Sequence, residues 1–351
     1  MKALLICADN IYLTPFIKTY SVILDKLHWK YDIIYWDKNN NEIINNSNYY
    51  RFEHSGKNKI FGYFKYRKFI KKKLNNINYN LVIVLNSVLI WILFYELVSN
   101  FRKRFIYDIR DYSYEGYWIF RFIQNYVIKN SLLNVISSEG YKNFLPDSKY
   151  YISHNSIEIK DNSSKDMREK ISFPIRLSFI GLIRFMNMNK KIIDYFKNDE
   201  RFLIQFIGTN AENLKEYVNR NNIKNVRLID TFNPSETLKY YCQTDVILNL
   251  YGNNTPLLDF ALSNKLYYAA NLYKPILVCP DTYMDRVVSR NKLGFTLDLD
   301  NVEQKEEFIK YLKYLDRAEF IRNCESFSNK VREENAVLER ALIEKITELT
   351  E

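Results

Sequence analysis

Cysteine is scarce and scattered in this chain. The four present, Cys7, Cys242, Cys279 and Cys324, form neither a CxxC pair nor a Cys/His ligand spacing. That argues against a disulfide framework or a sequence-local zinc site and reads as buried free thiols in a reducing cytoplasm. Nucleotide and hydrolase signatures are missing too. There is no GxGxxG, Walker A lysine motif, GxSxG elbow or HExxH pair, so dehydrogenase, nucleotide hydrolase, esterase and metalloprotease readings find no support. The two turns where a Gly-rich phosphate loop would fall read CADNIYLT and GLIRFMN. No secretory leader is expected, because the apolar start ALLICA is interrupted by Asp9. No repeat of solenoid period is visible. The one long apolar run, Leu81 to Val98, has the length and basic flanks of a marginal membrane span, but Asn86, Ser87 and Glu96 interrupt it. It reads instead as a strand over Leu81 to Leu85, a turn with Ser87 as N-cap, and a helix from Val88 onward.

What the chain does have is 351 residues, 47% apolar and 26% charged, enough for two globular domains. Its net charge of +10 is unevenly spread: residues 1–160 carry 23 Lys and Arg against 13 Asp and Glu, whereas residues 161–351 carry 28 of each. Between Arg51 and Lys73 nine basic residues face only Glu53 and alternate with Phe52, Phe61, Tyr63, Phe64, Tyr66 and Phe69. Cations interleaved with aromatic rings suit an anionic membrane surface, with Lys65, Arg67, Lys68, Lys71, Lys72 and Lys73 as the contacts. A solvated loop is the competing reading, and no nucleic-acid module accompanies the segment.

Apolar strands alternate with helical stretches along the whole chain, the pattern of parallel α/β sheets. In the first part strands are expected at Lys2–Ala8, Tyr31–Trp36, Leu81–Leu85, Phe105–Ile109, Leu133–Ile136 and Tyr150–Ser153, with helices at Leu13–Leu27 and Trp118–Lys129. The polar stretch Lys160–Lys170 reads as a linker. Strands resume at Leu177–Ile180, Leu203–Ile207, Val226–Ile229, Val246–Leu250, Pro275–Val278 and Phe295–Leu297, and charged helices fill Val302 to Thr350.

Several stretches carry candidate chemistry. Asn264 to Val278, NKLYYAANLYKPILV, opens an amphipathic helix with a polar Asn-Lys pair and closes in a strand. LSFIGLIRFMNMNKK ends a strand at Gly181 and places Arg184 and Lys190, or Lys191, at the next helix. FIGTN carries Gly208, YGNN carries Asn253 and Asn254, with Asp259 beyond it, and YDIRD carries Arg110 and Asp111. The first of these resembles the donor-site helix of GT-B glycosyltransferases of the family 4 type, often NKLFEYLALGKPVI, through Asn264, Lys265, Leu266, Tyr267, Leu272, Lys274 and Pro275. The spacing is kept without a gap. In that family a glutamate of this helix binds the ribose of a nucleotide-sugar; its position here holds Tyr268, which cannot bridge two hydroxyls as a carboxylate does. An earlier family glutamate falls on Phe260, leaving Asp259 or an Asn of YGNN as its replacement.

The resemblance implies an α/β protein of GT-B fold, two Rossmann-like domains with a cleft between them. An acceptor domain would span 1–160, a nucleotide-sugar domain 161–330, and a C-terminal helix, 331–351, would cross back to the first. Gly181, Gly208, Asn253, Asn254, Asp259, Asn264, Lys265 and Tyr268 would line the donor site, with Arg184 and Lys190 neutralising the diphosphate. Arg110 and Asp111 stand where relatives have a His-Asp pair, and Asp111 would take the acceptor hydroxyl's proton; the alternative is a helix-start cap paired with Arg110. Asp108 falls on the opposite strand face and ranks below it. The implied activity is metal-independent, retaining transfer of a sugar from a nucleotide-sugar to a polyprenyl-diphosphate-linked glycan in bacterial surface-polysaccharide assembly. It would run without a cofactor, in the cytoplasm at the inner face of the plasma membrane, with no nucleic-acid partner. The other class left open is a non-catalytic GT-B adaptor that binds anionic membrane and a partner transferase.

Overall fold

The computed structural model describes residues 1–54, 59–156, 159 and 172–350. The linker expected at Lys160–Lys170 lies outside the described residues, as do residues 55–58 of the basic segment. The chain divides into two compact units, Met1–His154 with Glu333–Glu351, and Asn155–Arg332.

The first unit carries a seven-stranded sheet in the order β3-β2-β1-β4-β5-β6-β7, every pair parallel. Its strands are β1 (Lys2–Cys7), β2 (Lys30–Asp37), β3 (Tyr49–Glu53), β4 (Leu81–Leu85), β5 (Phe105–Ile109), β6 (Leu133–Ile136) and β7 (Tyr151–Ile152), and its helices are α1 (Ile17–Lys26), α2 (Lys59–Asn76), α3 (Ser87–Ile92) and α4 (Trp118–Asn130). Runs such as LVIVL are buried at every position, because helices cover both faces of a parallel sheet.

Three expectations and one competing reading are corrected here. The helix expected from Leu13 is a 3-10 turn at Ile11–Leu13 followed by α1, since Pro15 disfavours a helical backbone at Thr14, which sits at φ −121°, ψ 50°. Asn86, not Ser87, caps α3: its side chain accepts from the Val88 amide at 2.9 Å. The helix after it stops at Ile92 and resumes as a π-helical turn, Glu96–Asn100. The described residues of the basic aromatic segment belong largely to β3 and α2, where the competing reading had a solvated loop.

The second unit carries a six-stranded parallel sheet in the order β10-β9-β8-β11-β12-β13. Its strands are β8 (Ile175–Ile180), β9 (Phe202–Ile207), β10 (Val226–Ile229), β11 (Val246–Asn249), β12 (Ile276–Val278) and β13 (Gly294–Thr296). The helices are α5 (Met186–Phe196), α6 (Lys215–Arg220), α7 (Thr237–Cys242), α8 (Pro256–Phe260), α9 (Asn264–Asn271), α10 (Tyr283–Arg290), α11 (Gln304–Tyr314) and α12 (Arg317–Thr347). Ile192, Ile193 and Phe196 of α5 are fully buried in one cluster with Leu177, Phe179 and Phe206 of the sheet. From Glu333 onward α12 belongs to the first unit, where Leu338, Ala341, Leu342 and Ile346 join the core of β1 and α1.

In both sheets the strand order reverses beside the first strand, between β1 and β4 in one and between β8 and β11 in the other. Ligands of doubly wound sheets bind outside the strand ends at such a reversal.

Candidate active site

In the second unit, β8 ends at Gly181 and β9 at Gly208, both with positive φ, +121° and +134°. The two turns touch through backbone. A Cβ on Gly208 would lie 2.0 Å from the Gly181 carbonyl oxygen, so this approach requires glycine. Gly181 N–H donates to Ile207 O at 2.9 Å, and Ile183 N–H donates to Thr209 O at 2.9 Å. The chain then passes exposed Arg184 and enters α5 through Phe185, a non-glycine residue in the left-handed region (φ 57°). Asn189 Nδ2 donates to the Arg184 carbonyl at 2.7 Å and holds the turn. Such a conformation at a bulky residue is uncommon and costs of order 1–3 kcal/mol, a strain that clusters at ligand sites.

Lys265 sits in the first turn of α9, whose N-cap Ser263 accepts from the Lys265 amide. The side chain is buried, 5% exposed. Its ammonium donates to Tyr251 Oη at 2.6 Å and lies 4.1 Å from the centroid of the Phe179 ring on β8 and 4.9 Å from that of Tyr251. No carboxylate among the described residues forms an ion pair with it. Tyr251 in turn meets Phe179 edge-on at 5.2 Å and Phe185 at 5.9 Å. The Phe185–Tyr251–Lys265 contacts thus link the Arg184 turn to the start of α9, at the strand reversal of this sheet. Sequence reasoning passed over Tyr251 and Phe185; no signal in the chain marks them beyond their places next to YGNN and Arg184.

The other donor-site candidates surround this point unevenly. Gly252 (φ 102°) and Asn254 (φ 63°) curl the chain after β11, and Asn253 Nδ2 donates to Pro280 O at 3.1 Å. Asp259 on α8 has an Oδ1 shielded from solvent with no hydrogen-bond partner, and Asn249 Oδ1 at the end of β11 shares that condition. Asn264 is exposed. Tyr268 stacks on Tyr241, centroids 4.0 Å apart and planes within 16°, and burial raises the pKa of its phenol. Lys190 lies over the Tyr217 ring at 5.1 Å. Lys191 is paired with Asp300 at 2.7 Å, which separates two lysines the sequence leaves equivalent. Asp245 is clamped by Arg176 through both carboxylate oxygens.

In the first unit, Arg110 is not paired with Asp111. Its guanidinium meets buried Asp108 through Nε and Nη2, both at 2.7 Å, donates to Ser153 O and Oγ at 3.0 and 2.8 Å, and covers the Phe16 ring at 4.2 Å. Tyr20 Oη donates to Asp108 Oδ2 at 2.7 Å. Asp108 lies on β5 and Arg110 one residue past its end, while Asp111 is exposed in the bend that follows. Glu115 nearby is buried, which raises its pKa, while its oxygens accept from Ser113 N and Gln124 Nε2.

The basic helix α2 is also divided. Arg67 and Lys71 both bond the buried carboxylate of Glu96, at 3.0 and 3.1 Å, and Lys73 lies 3.3 Å from the Tyr50 ring centroid. Lys65, Lys68 and Lys72 form its exposed stripe. Among the described residues no group of three or more His, Cys, Asp or Glu converges as a metal-ligand set, and no helix is long and apolar enough to cross a membrane.

No protein-family model and no curated protein sequence matches this chain. Solved structures do. Sucrose-phosphate synthase from Thermosynechococcus elongatus is 10% identical, with a TM-score of 0.69 over 100% of this chain and 98% of that one. The lipopolysaccharide outer core galactosyltransferase WaaB is 11% identical, with a TM-score of 0.68 over 98% and 100%. Anabaena HepE, solved with UDP and glucose, is 10% identical, with a TM-score of 0.65 over 97% and 99%. At such identities the likeness establishes the fold: two Rossmann-like α/β units of the GT-B type.

Proposed function

We propose that this chain is a glycosyltransferase that moves a sugar from a nucleotide-sugar to a hydroxyl of a lipid-linked oligosaccharide in bacterial surface-polysaccharide assembly. The observation that carries the reading is Lys265: a buried ammonium with a phenol and two ring faces as partners, at the strand reversal of the second unit. A buried cation lacking a counter-charge is costly, and an anionic ligand removes the cost. Similar folds solved with UDP support a nucleotide diphosphate as that ligand.

In this reading Gly181 and Gly208 let the backbone approach the diphosphate, and Arg184, Lys190 and Lys265 neutralise it. The acceptor oxygen bonds to the anomeric carbon, the bond from that carbon to the diphosphate oxygen breaks, and the nucleoside diphosphate leaves with the electron pair. Cations that meet charge as it develops act on the transition state more than on binding. Asp111, exposed at the end of β5, takes the acceptor's proton. Arg110, locked to Asp108, is a positioning residue for that strand end. Asp259 and Asn253 or Asn254 contact the donor sugar, and Tyr268 with Asn264 lies beside the nucleoside. Retention follows the family resemblance. The chain works at the cytoplasmic face of the plasma membrane, held by the exposed cations of α2.

A non-catalytic adaptor is the second reading, favoured by Tyr268 where a carboxylate would grip the ribose and by the immobilised Arg110. Thermal-shift measurements with UDP-, GDP- and dTDP-sugars separate the two. One nucleotide sugar raises the melting temperature of the wild type, and Lys265→Met, which keeps the side-chain volume, loses that rise. No rise with any of them rules out the transferase.

A further inference from the structure

A groove of about 610 Å³ opens on the first unit, between α2, α3, the Phe94–Tyr95 link that follows it and the start of α4. Its lining is aromatic and aliphatic, and large side chains along it stand open to solvent: Ile60 at 71% exposure, Phe64 at 65%, Tyr95 at 63% and Tyr117 at 70%. Trp91 and Phe120 stack across its wall at 6.1 Å. The volume lies within the ~300–1,000 Å³ typical of a site for one small ligand, and an apolar patch so open marks a binding surface. The charge beside it has one sign. Arg67 is the ionised side chain of its lining; α2, which supplies it, bears no acidic residue and carries exposed Lys65, Lys68 and Lys72 on an adjoining face, and the neighbouring carboxylate, Glu96, is buried and neutralised by Arg67 and Lys71. Arg67 itself lines the groove and keeps a solvent-shielded Nε with no acceptor among the described residues.

An apolar slot lined by Arg67 and flanked by a helix with no acidic residue fits a molecule with a hydrocarbon body and an anionic head. We propose that the groove takes one hydrocarbon chain of an anionic membrane lipid, with the head against Arg67 and the exposed lysines of α2. This deepens the acceptor side of the reading above and rests on its membrane part, but not on nucleotide binding. It differs from surface adsorption in placing a chain among the rings, below the level at which Tyr and Trp settle at a headgroup layer.

Trp91 is the reporter. Trp29 and Trp36 are buried, so in the full-length chain with Trp118→Phe the exposed indole is Trp91. Vesicles of phosphatidylglycerol with acyl chains brominated near the bilayer centre should quench its emission, and phosphatidylcholine vesicles so brominated should not. Phe64→Glu should abolish quenching while leaving the nucleotide-sugar thermal shift intact. Lys65, Lys68 and Lys72 changed together to Gln should weaken vesicle binding by roughly 100-fold at low salt. Binding without quenching, indifferent to Phe64→Glu, overturns the slot in favour of surface adsorption. Absence of vesicle binding also overturns it, and so does a Phe64→Glu variant whose only change is a lower sedimentation mass, which assigns the groove to a second copy. Quenching by a chain that binds no nucleotide sugar supports the slot and removes the transferase reading alone.

Discussion

The first turn of the first unit and the first turn of the second occupy the same place in the same topology, and they are electrostatic opposites. After β1 the amides of Ile11 and Tyr12 donate to the two carboxylate oxygens of Glu42, at 2.7 and 2.9 Å. Beside it Asp37 accepts from Asn10 Nδ2 at 2.6 Å, from the Glu42 amide at 3.0 Å and from Arg51 Nε at 2.8 Å. A helix start that could bind an external anion is filled by the protein's own. After β8, by contrast, residues 181–191 hold no carboxylate, Arg184 is exposed, and the nearby buried cation Lys265 meets a phenol and two rings. Topology alone therefore makes no anion site. What decides is whether a loop elsewhere in the unit returns a carboxylate to the turn.

The contrast can be broken most severely at Arg184. Replacing it with Ala should lower sugar transfer by about 10²–10³-fold, the scale for removing one group that meets developing charge, with no loss of melting temperature, because the side chain is exposed. Wild-type turnover in that variant defeats the assigned role. Gly208→Ala comes next. Its Cβ would meet the Gly181 carbonyl oxygen at 2.0 Å, so the turns must part, at a cost of several kcal/mol by analogy with other overpacked sites; urea unfolding measures it. Ordinary stability would mean the two turns are not in contact.

Glu42→Gln tests the closed turn. It should destabilise the protein by about 1–3 kcal/mol through weakened bonds to two amides and should give the first unit a sulfate-dependent rise in melting temperature that the wild type lacks there. A pH series sharpens the same point. Burial raises the pKa of Asp37, but its bonds from Glu42 N, Asn10, Arg51 and Asn41 N outweigh that and hold it well below the ordinary 3.8. A depressed carboxylate stabilises the fold above its unfolded pKa, and that contribution fades as pH falls below about 4. Melting temperature should drop over that range, and less steeply in Asp37→Asn.

Thiol reactivity should show the smallest effect. Burial pushes Cys279 up to about 11, with the Gly252 amide and the Lys191 charge opposing it. Cys7, under the first turn, is raised further, by burial and then by the charges of Asp9 and Glu42. In native protein at mildly alkaline pH, Cys279 should be alkylated slowly and Cys7 more slowly still, as peptide mapping would show. Equal rates would remove the electrostatic difference between the turns.

Much of this was legible from residue order. The expected strands Phe105–Ile109 and Leu133–Ile136 coincide with β5 and β6, because strands buried on both faces write themselves as short apolar runs; Val226–Ile229 coincides with β10, an edge strand only partly buried. α2 was not legible, since its apolar residues face both the sheet, as Tyr66 and Ile70 do, and solvent, as Ile60 and Phe64 do, which blurs the period. The cap of α3 was misassigned by one residue, because Asn86 and Ser87 are both good caps and backbone geometry chooses between them.

By itself, then, the amino-acid order determined two parallel α/β units and the stretches that bear cations at strand ends, for these follow from local hydrophobic pattern and turn chemistry. Only the tertiary structure decided which cations remain available. Lys191 is taken by Asp300, 109 residues away, Lys71 by Glu96 and Arg176 by Asp245, whereas Lys265 and Arg184 are engaged by ring faces and a phenol. An ion pair forms only within about 4 Å, and for partners far apart in sequence the packing of the whole unit sets that distance.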